Sequence, residues 1–377
     1  MRTRARWATA TAATAAVVGG ALVVPAVASA DPDLPPTTAA ELVEQVATAT
    51  ERPFSGTAVQ TVDLGLPELP QTAGSAGELS TLLAGSTTLR LWSDGPERSR
   101  LAVLGALAET DVVRDGDDAW VWRSDQRSAL HADLADLPEG EQPMSAPGAT
   151  TPADAARTAL EALDPTTAVS LDGTASVAGR DAYELVLQPR SGESLVGEVR
   201  LAVDAETSYP LRVQVTARGA SEPAFESGFT SISFTAPGDE VFDFAPPAGT
   251  DVQEVDVAAL AAGHDGAAGA QGRPGAVPGE AASPTVVGDG WTSVLVLRDA
   301  AGALDPSLAS GSGEGAGSDV AATLLGAFQP VQGDFGSGRA FSSSLLSVLA
   351  LDDGRLLVGA VPVDVLERAA LDPTAAP

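Results

Sequence analysis

Residues able to move protons near neutral pH or to hold a metal are scarce in this 377-residue chain: it has two histidines, His131 and His264, and no cysteine. Catalysis at neutral pH generally draws on a His, Cys or Lys poised near neutrality, or on paired carboxylates. His264 falls in a Gly/Ala-rich stretch, so a Ser-His-Asp triad would have to be built on His131, and no G-x-S-x-G elbow accompanies it. No histidine pair at helical spacing and no Asp-rich calcium loop is present. "DGDD" at Asp115 to Asp118 reads as a tight turn rather than a weak calcium site. "GSGEGAGS" from Gly311 has the glycines of a phosphate loop without its lysine, and reads as a flexible loop. Two of the many carboxylates could form a glycosidase pair, but Trp92, Trp120 and Trp122 fall on strand patterns, where packing against a sheet accounts for them better than sugar stacking. No catalytic residue, no metal and no cofactor is therefore expected.

What the chain has in abundance is apolar ribbon. "GEVRLAVDAETSYPLRVQV", Gly197 to Val215, sets Val199, Leu201 and Val203 on one side of a turn and Leu211, Val213 and Val215 on the other. Spacing of two puts each triplet on one face of a strand, and the turn formers from Asp204 to Pro210 join them as an antiparallel hairpin. That face covers either a dry core or an apolar ligand. "TTLRLWSDGPERSRLAVLG" is a second hairpin, turning on Asp-Gly. "ETDVVRDGDDAWVWRSDQRSALHADL" repeats the device, with Trp120 and Trp122 on one face.

Two helices interrupt the strands. Thr37 to Thr50 carries Leu42, Val43 and Val46 at helical spacing, with Thr38 and Glu41 placed as a capping box. Thr151-Pro152 starts another, which Asp164-Pro165 stops. Five more strands follow, so residues 35–255 read as roughly ten antiparallel strands with two or three helices. Residues 256–288 are Gly, Ala and Pro without periodicity and read as a linker. Residues 289–372 then read as a small α+β unit: strand "WTSVLVL", a Gly/Ser loop, helix "DVAATLLGAF", strand "GRAFSSSLLSVLAL", turn "DDG", strand "RLLVGAV" and helix "DVLERAAL".

Composition narrows the partners. The formal net charge of -30 repels phosphate backbones and anionic surfaces, which excludes nucleic acid. Arg2, Arg4 and Arg6, the small apolar run Ala8 to Val27 and "ASA" before Asp31 mark residues 1–30 as a secretory signal peptide. An uncleaved anchor is the competing reading, but Thr, Gly and Pro dilute the run. No Cys follows the cleavage site, so a lipid-modified export signal is excluded, and no later stretch is long and apolar enough to span a bilayer. The expected location is secreted or in the extracytoplasmic cell envelope. An exported chain without cysteines must be held by core burial rather than disulfides.

A helix, a long antiparallel meander, a helical insertion and further strands is the order of the LolA-like fold. "FSGTAVQTVDLGLPELP", "LRLWSDGPERSRLAVLG", "VVRDGDDAWVW", "GRDAYELVLQPR", "VGEVRLAVDAETSYPLRVQV" and "VFDFAPPAGTDV" resemble the outer-membrane lipoprotein-sorting proteins and the RseB-like sigma-E regulators, in their actinobacterial branch. The resemblance implies a mainly β (α+β) fold, a half-open barrel with helices as a lid, whose apolar cavity takes acyl chains of a lipid or lipoprotein. Carried onto this chain, the cavity would draw on Leu89, Leu91, Leu101, Val103, Trp120, Trp122, Leu185, Leu187, Val199, Leu201, Leu211, Val213 and Phe229, with Leu42 and Val46 from the first helix. Period two says which residues share a face, not which face is concave. Two functions follow: a carrier for lipid or lipidated protein, or an RseB-like regulator that senses such a ligand and binds a membrane-bound anti-sigma factor.

Overall fold

The computed structural model describes residues 32–49, 52–66, 84–105, 108–135, 149–255, 285–298, 323 and 325–375. The signal segment, the loop at Gly311, His264, nearly all of the linker and most of the expected helix at 319–328 lie outside them.

Helix α1 (Ala39–Ala47) opens the chain, and Thr38 and Glu41 close the expected capping box on it, an arrangement that contributes about 1 kcal/mol. Strands β1 (Phe54–Asp63), β2 (Ala84–Ser93), β3 (Arg98–Leu104), β4 (Glu109–Asp115), β5 (Asp118–Arg123) and β6 (Ser128–Asp133) form the meander. Helix α2 (Pro152–Glu161) follows, capped by Thr151 with proline at its start. Strands β7 (Thr167–Val177), β8 (Arg180–Pro189), β9 (Val196–Asp204), β10 (Pro210–Ala217) and β11 (Pro223–Ser233) complete the hairpins.

With β12 (Asp251–Val255), these strands join one twelve-stranded sheet in the order β12-β6-β5-β4-β3-β2-β1-β11-β10-β9-β8-β7. The pairing of β1 with β11 links the two hairpin wings. The sheet stays open, with β7 and β12 (Asp251–Val255) as its two edges. β12 was not expected as a strand, and it lies parallel to β6, where alternation alone suggests only antiparallel neighbours. Gly56 sits where a Cβ would fall 2.7 Å from the Ser231 carbonyl and 2.8 Å from the Phe229 ring, so only glycine lets β1 and β11 approach there.

The C-terminal unit holds β13 (Thr285–Val287), β14 (Val294–Leu297), β15 (Gln329–Gly333), β16 (Gly336–Ser342), β17 (Ser347–Leu351), β18 (Leu356–Gly359) and helix α3 (Val363–Ala370). Three details differ from the sequence expectation. β13 lies wholly inside the stretch read as linker. "GRAFSSSLLSVLAL" is two strands, because Ser342 pairs with Ser347 across a tight turn. Trp291 precedes its expected strand in a short 3-10 turn. Leu349, Leu357 and Leu366 bury completely between this sheet and α3.

The two units touch. Trp291 Nε1 donates to Thr167 Oγ1 at 2.7 Å, the Leu195 amide donates to the Ala360 carbonyl at 2.8 Å, and Arg368 pairs with Glu193. The turn between β16 and β17 reaches the end of β1, where the Ser344 amide donates to the Leu64 carbonyl at 3.0 Å. The second unit therefore caps one end of the large sheet.

Candidate functional site

Antiparallel partners share a face, so the register sorts the apolar residues. On the β7–β11 wing, Leu185 pairs with Leu201 and Leu201 with Val213, while Leu187 pairs with Val199. Helices α1 and α2 cover this face. Leu42, Leu185, Leu187, Val199, Leu201 and Val213 bury there as one dry cluster with Ala155, Ala156 and Ala159, and Val46 packs against it half-buried. We call this helix-bearing side the inner face. Here the ribbon from Gly197 to Val215 covers core.

At the centre of the sheet the inner face turns polar. Gln60 and Ser227 are buried, and both grip the segment leading into α2: the Thr150 amide donates to Gln60 Oε1 at 2.7 Å, and Ser227 Oγ donates to the Thr150 carbonyl at 2.7 Å. These bonds pair buried polar groups of the sheet with the backbone of that segment.

Across β2–β6 the inner face is apolar again. Gly56, Leu91, Leu101, Val112, Val121 and Leu130 are successive cross-strand partners and form one row. Leu89 and Val103 pair beside it. Leu89, Leu91, Leu211 and Phe229 bury in a second cluster, with Leu101 and Val103 half-buried at its margin. A bulge between Pro210 and Arg212 takes Leu211 out of line with Val213 and into this cluster. Val112, Val121 and Leu130 are half-buried as well. Among the described residues, α1 seats mainly on β7 and α2 on β10 and β11.

Trp120 and Trp122 do not join this wall. Each alternates with Val121 and so faces outward, where Trp120 pairs with Val113 and Trp122 with Asp111. That outer face is covered by the chain after β11. Phe242 is buried with the Arg98 guanidinium 4.7 Å from its ring centroid, and Phe244 packs 5.6 Å from Trp120. Trp120 thus packs as weighed above, and Trp122 shares its outward face. In their place the structure puts Val112, Val121 and Leu130 on the wall. The valine pair at 112–113 hid this, because adjacent apolar residues fit either alternation.

His131 stands on the same outer face. Its Nδ1 lies 2.8 Å from Glu254 Oε2 and its Nε2 3.1 Å from Asp118 Oδ1, so neither ring nitrogen faces a hydroxyl nucleophile. Burial pulls its pKa down, but the hydrogen bonds and charges of the two carboxylates outweigh this and raise it above its ordinary value. Among the described residues, no group of three or more His, Cys, Asp or Glu is arranged to hold a metal ion. Among them, no helix is long and apolar enough to cross a membrane.

No family model matches the chain, and no curated protein matches it in sequence. Solved structures do resemble it. A chain of the Pseudomonas aeruginosa MucA/MucB complex is 20% identical, covers 89% of this chain and 97% of its own, and has a TM-score of 0.44. Its structural neighbours are MucB and LolA-superfamily proteins. A LolA superfamily protein from Nitrosomonas europaea is 13% identical over 55% of this chain and 99% of that one, with a TM-score of 0.22. LprF from Mycobacterium bovis is 11% identical over 56% and 97%, with a TM-score of 0.30. These are likenesses of fold; what the inner wall can hold follows from its own residues.

Proposed function

We propose that this protein is an extracytoplasmic binding protein for acyl chains, carried by a lipid or a lipidated protein, and that the chain lies on the inner wall of β2–β6. One observation carries the reading: a cross-strand row of Leu101, Val112, Val121 and Leu130 is only half-buried and runs without a break into the buried Leu89 and Leu91. Burying an acyl chain there gains roughly 0.8 kcal/mol per methylene and needs no catalytic group. Sheets left half-open on an apolar face otherwise attract other apolar surfaces. The dense negative charge of the chain opposes such association.

The test is lipid extraction from protein purified out of its native envelope, identification by mass spectrometry, and titration with a fluorescent fatty-acyl probe. Bound acyl chains, and probe binding weakened by Val121→Asp, are expected. Protein free of acyl chains that also takes up no probe would remove the proposal.

A second reading has its own observation. The C-terminal unit is fastened to the large sheet by Trp291, Ala360 and Arg368, which is more than a minimal carrier needs. A regulator that couples ligand binding to docking on a membrane-bound anti-sigma factor would use such a unit; MucB has been solved in complex with MucA(peri). Affinity capture from envelope extract that never recovers a single-span anti-sigma protein would count against it.

A further inference from the structure

On the inner face of β2–β6 the apolar wall narrows to a single file. Leu91, Leu101, Val112, Val121 and Leu130 follow one another strand by strand as direct partners, and the rows beside them differ in kind. On one side, Leu89 and Val103 give way to Thr110, Arg123 and Ser128. On the other, Ser99 and Arg114 lead to Ala119 and Ala132, which are buried with Leu134. Over β4–β6 the stripe of half-buried apolar side chains is therefore one residue wide. Side chains on one face recur about 7 Å apart along a strand. Polar residues and the closed alanine cluster thus stand where a second chain would have to lie.

The file has a closed end and an open one. Past Leu91 its next member is Gly56. A Cβ there would fall 2.8 Å from Phe229 Cε1, so the Phe229 ring occupies the space over that position. Phe229 is itself buried, with Phe54 edge-on to it at a centroid distance of 6.1 Å, and the packed pair forms a stop. At the other end Leu130 pairs with Gln253, which is exposed on the edge strand β12. From β2 to β6 the file crosses four strand gaps, about 19 Å. An extended chain advances about 1.2 Å per bond, as three backbone bonds span at most about 3.6 Å, so the file matches about sixteen carbons.

Resting on the acyl-wall reading above, we propose that the wall is a ruler for one acyl chain of about sixteen carbons. The methyl end abuts Phe229, the chain crosses the strands along the file, and the polar head leaves over Gln253 into water. A second acyl chain of the same ligand finds no apolar bed and adds nothing to the affinity. Single-chain lipids and singly acylated peptides are thus the ligand class, in preference to diacyl lipids or multiply acylated proteins.

Lysophosphatidylcholines of graded chain length, displacing a fluorescent acyl probe from the full-length protein, test this. A fully buried methylene is worth about fourfold in affinity, and a chain covered on one side buries roughly half of each. Affinity should therefore rise about twofold per carbon and stop rising near about sixteen. A diacyl phosphatidylcholine should bind within about threefold of the lyso form with the same chain. Leu101→Trp, which plants an indole on β3, should bring the break down by about eight carbons, or two strand gaps. Phe229→Leu, which shortens the stop and keeps it apolar, should move the break to longer chains; if that variant does not fold, Leu101→Trp alone decides. A break that the folded variants leave in place, affinity that climbs evenly through the longest chain, or a second chain that adds about tenfold or more overturns the ruler while leaving the acyl wall standing. Failure of the whole series to bind the wild type overturns the acyl wall as well.

Discussion

The imidazole of His131 lies flat against the indole of Trp120, ring centroids 4.1 Å apart and planes 22° from parallel. With Glu254 on one ring nitrogen and Asp118 on the other, the stack fastens the parallel edge strand β12 to the meander.

A pH dependence follows. A doubly protonated ring donates to both carboxylates, whereas a neutral ring donates to one and turns a lone pair on the other. Because the folded-state pKa lies above the ordinary 6.5, this stabilisation is fully present below pH 6.5 and is lost as pH rises through the folded value. The thermal midpoint should therefore fall between about pH 6 and pH 8.5, and His131→Gln should flatten that slope. A wild-type slope that the variant retains would show that the latch does not operate.

The two apolar walls should answer mutation differently. Leu201 is completely buried, so Leu201→Ala should cost about 2–5 kcal/mol in a denaturant titration. Val121 is only half-buried on the β2–β6 wall, so Val121→Ser should cost about 1 kcal/mol or less and instead weaken acyl-probe binding. Equal destabilisation by both would mean that the wall is as tightly packed as the core.

This difference marks how far the sequence could be read. Alternation identified the hairpins, the two helices and the oily faces of β8, β9 and β10, because each is a local pattern. It grouped Leu89, Leu91, Leu101 and Val103 on one face, as their pairing has them, without saying which face that was. It misplaced Trp120 and Trp122 because face is inherited strand by strand through register: Leu101 opposite Val112, and Val112 opposite Val121, decide it. Nor could it foresee that Phe242 and Phe244 would cross back over the outer face, or that β12 would pair in parallel, since both are long-range contacts with no local signature.

The junction between units should hinge on Trp291. Its ring packs against the helix-covered core while its Nε1 reaches Thr167. Trp291→Ala removes both the packing and the bond and should cost about 3–5 kcal/mol. Limited proteolysis should then release the C-terminal unit faster, whereas Trp291→Phe, which keeps the packing, should lose only about 1 kcal/mol. Unchanged proteolysis of Trp291→Ala would show that the backbone bond from Leu195 to Ala360 suffices.

Acid stability should be governed in part by Asp204, at the turn between β9 and β10. Its carboxylate is almost fully buried, yet it takes bonds from the Thr207 amide and Thr207 Oγ1, both at 2.7 Å, and pairs with Arg180. Burial pushes its pKa up, but the hydrogen bonds from Arg180 and Thr207 and the arginine charge outweigh this and hold it below the ordinary 3.8. The resulting stabilisation is present above that ordinary value and is lost as pH falls through the folded one. Asp204→Asn keeps the shape but removes the charge that Arg180 and Thr207 bind, leaving Arg180 with Glu206 alone, and should cost about 1.5–3 kcal/mol at neutral pH. The variant should also lose less of its remaining stability than the wild type between pH 4 and pH 2. A parallel decline of the two proteins over that acid range would show that other carboxylates, not Asp204, carry the transition.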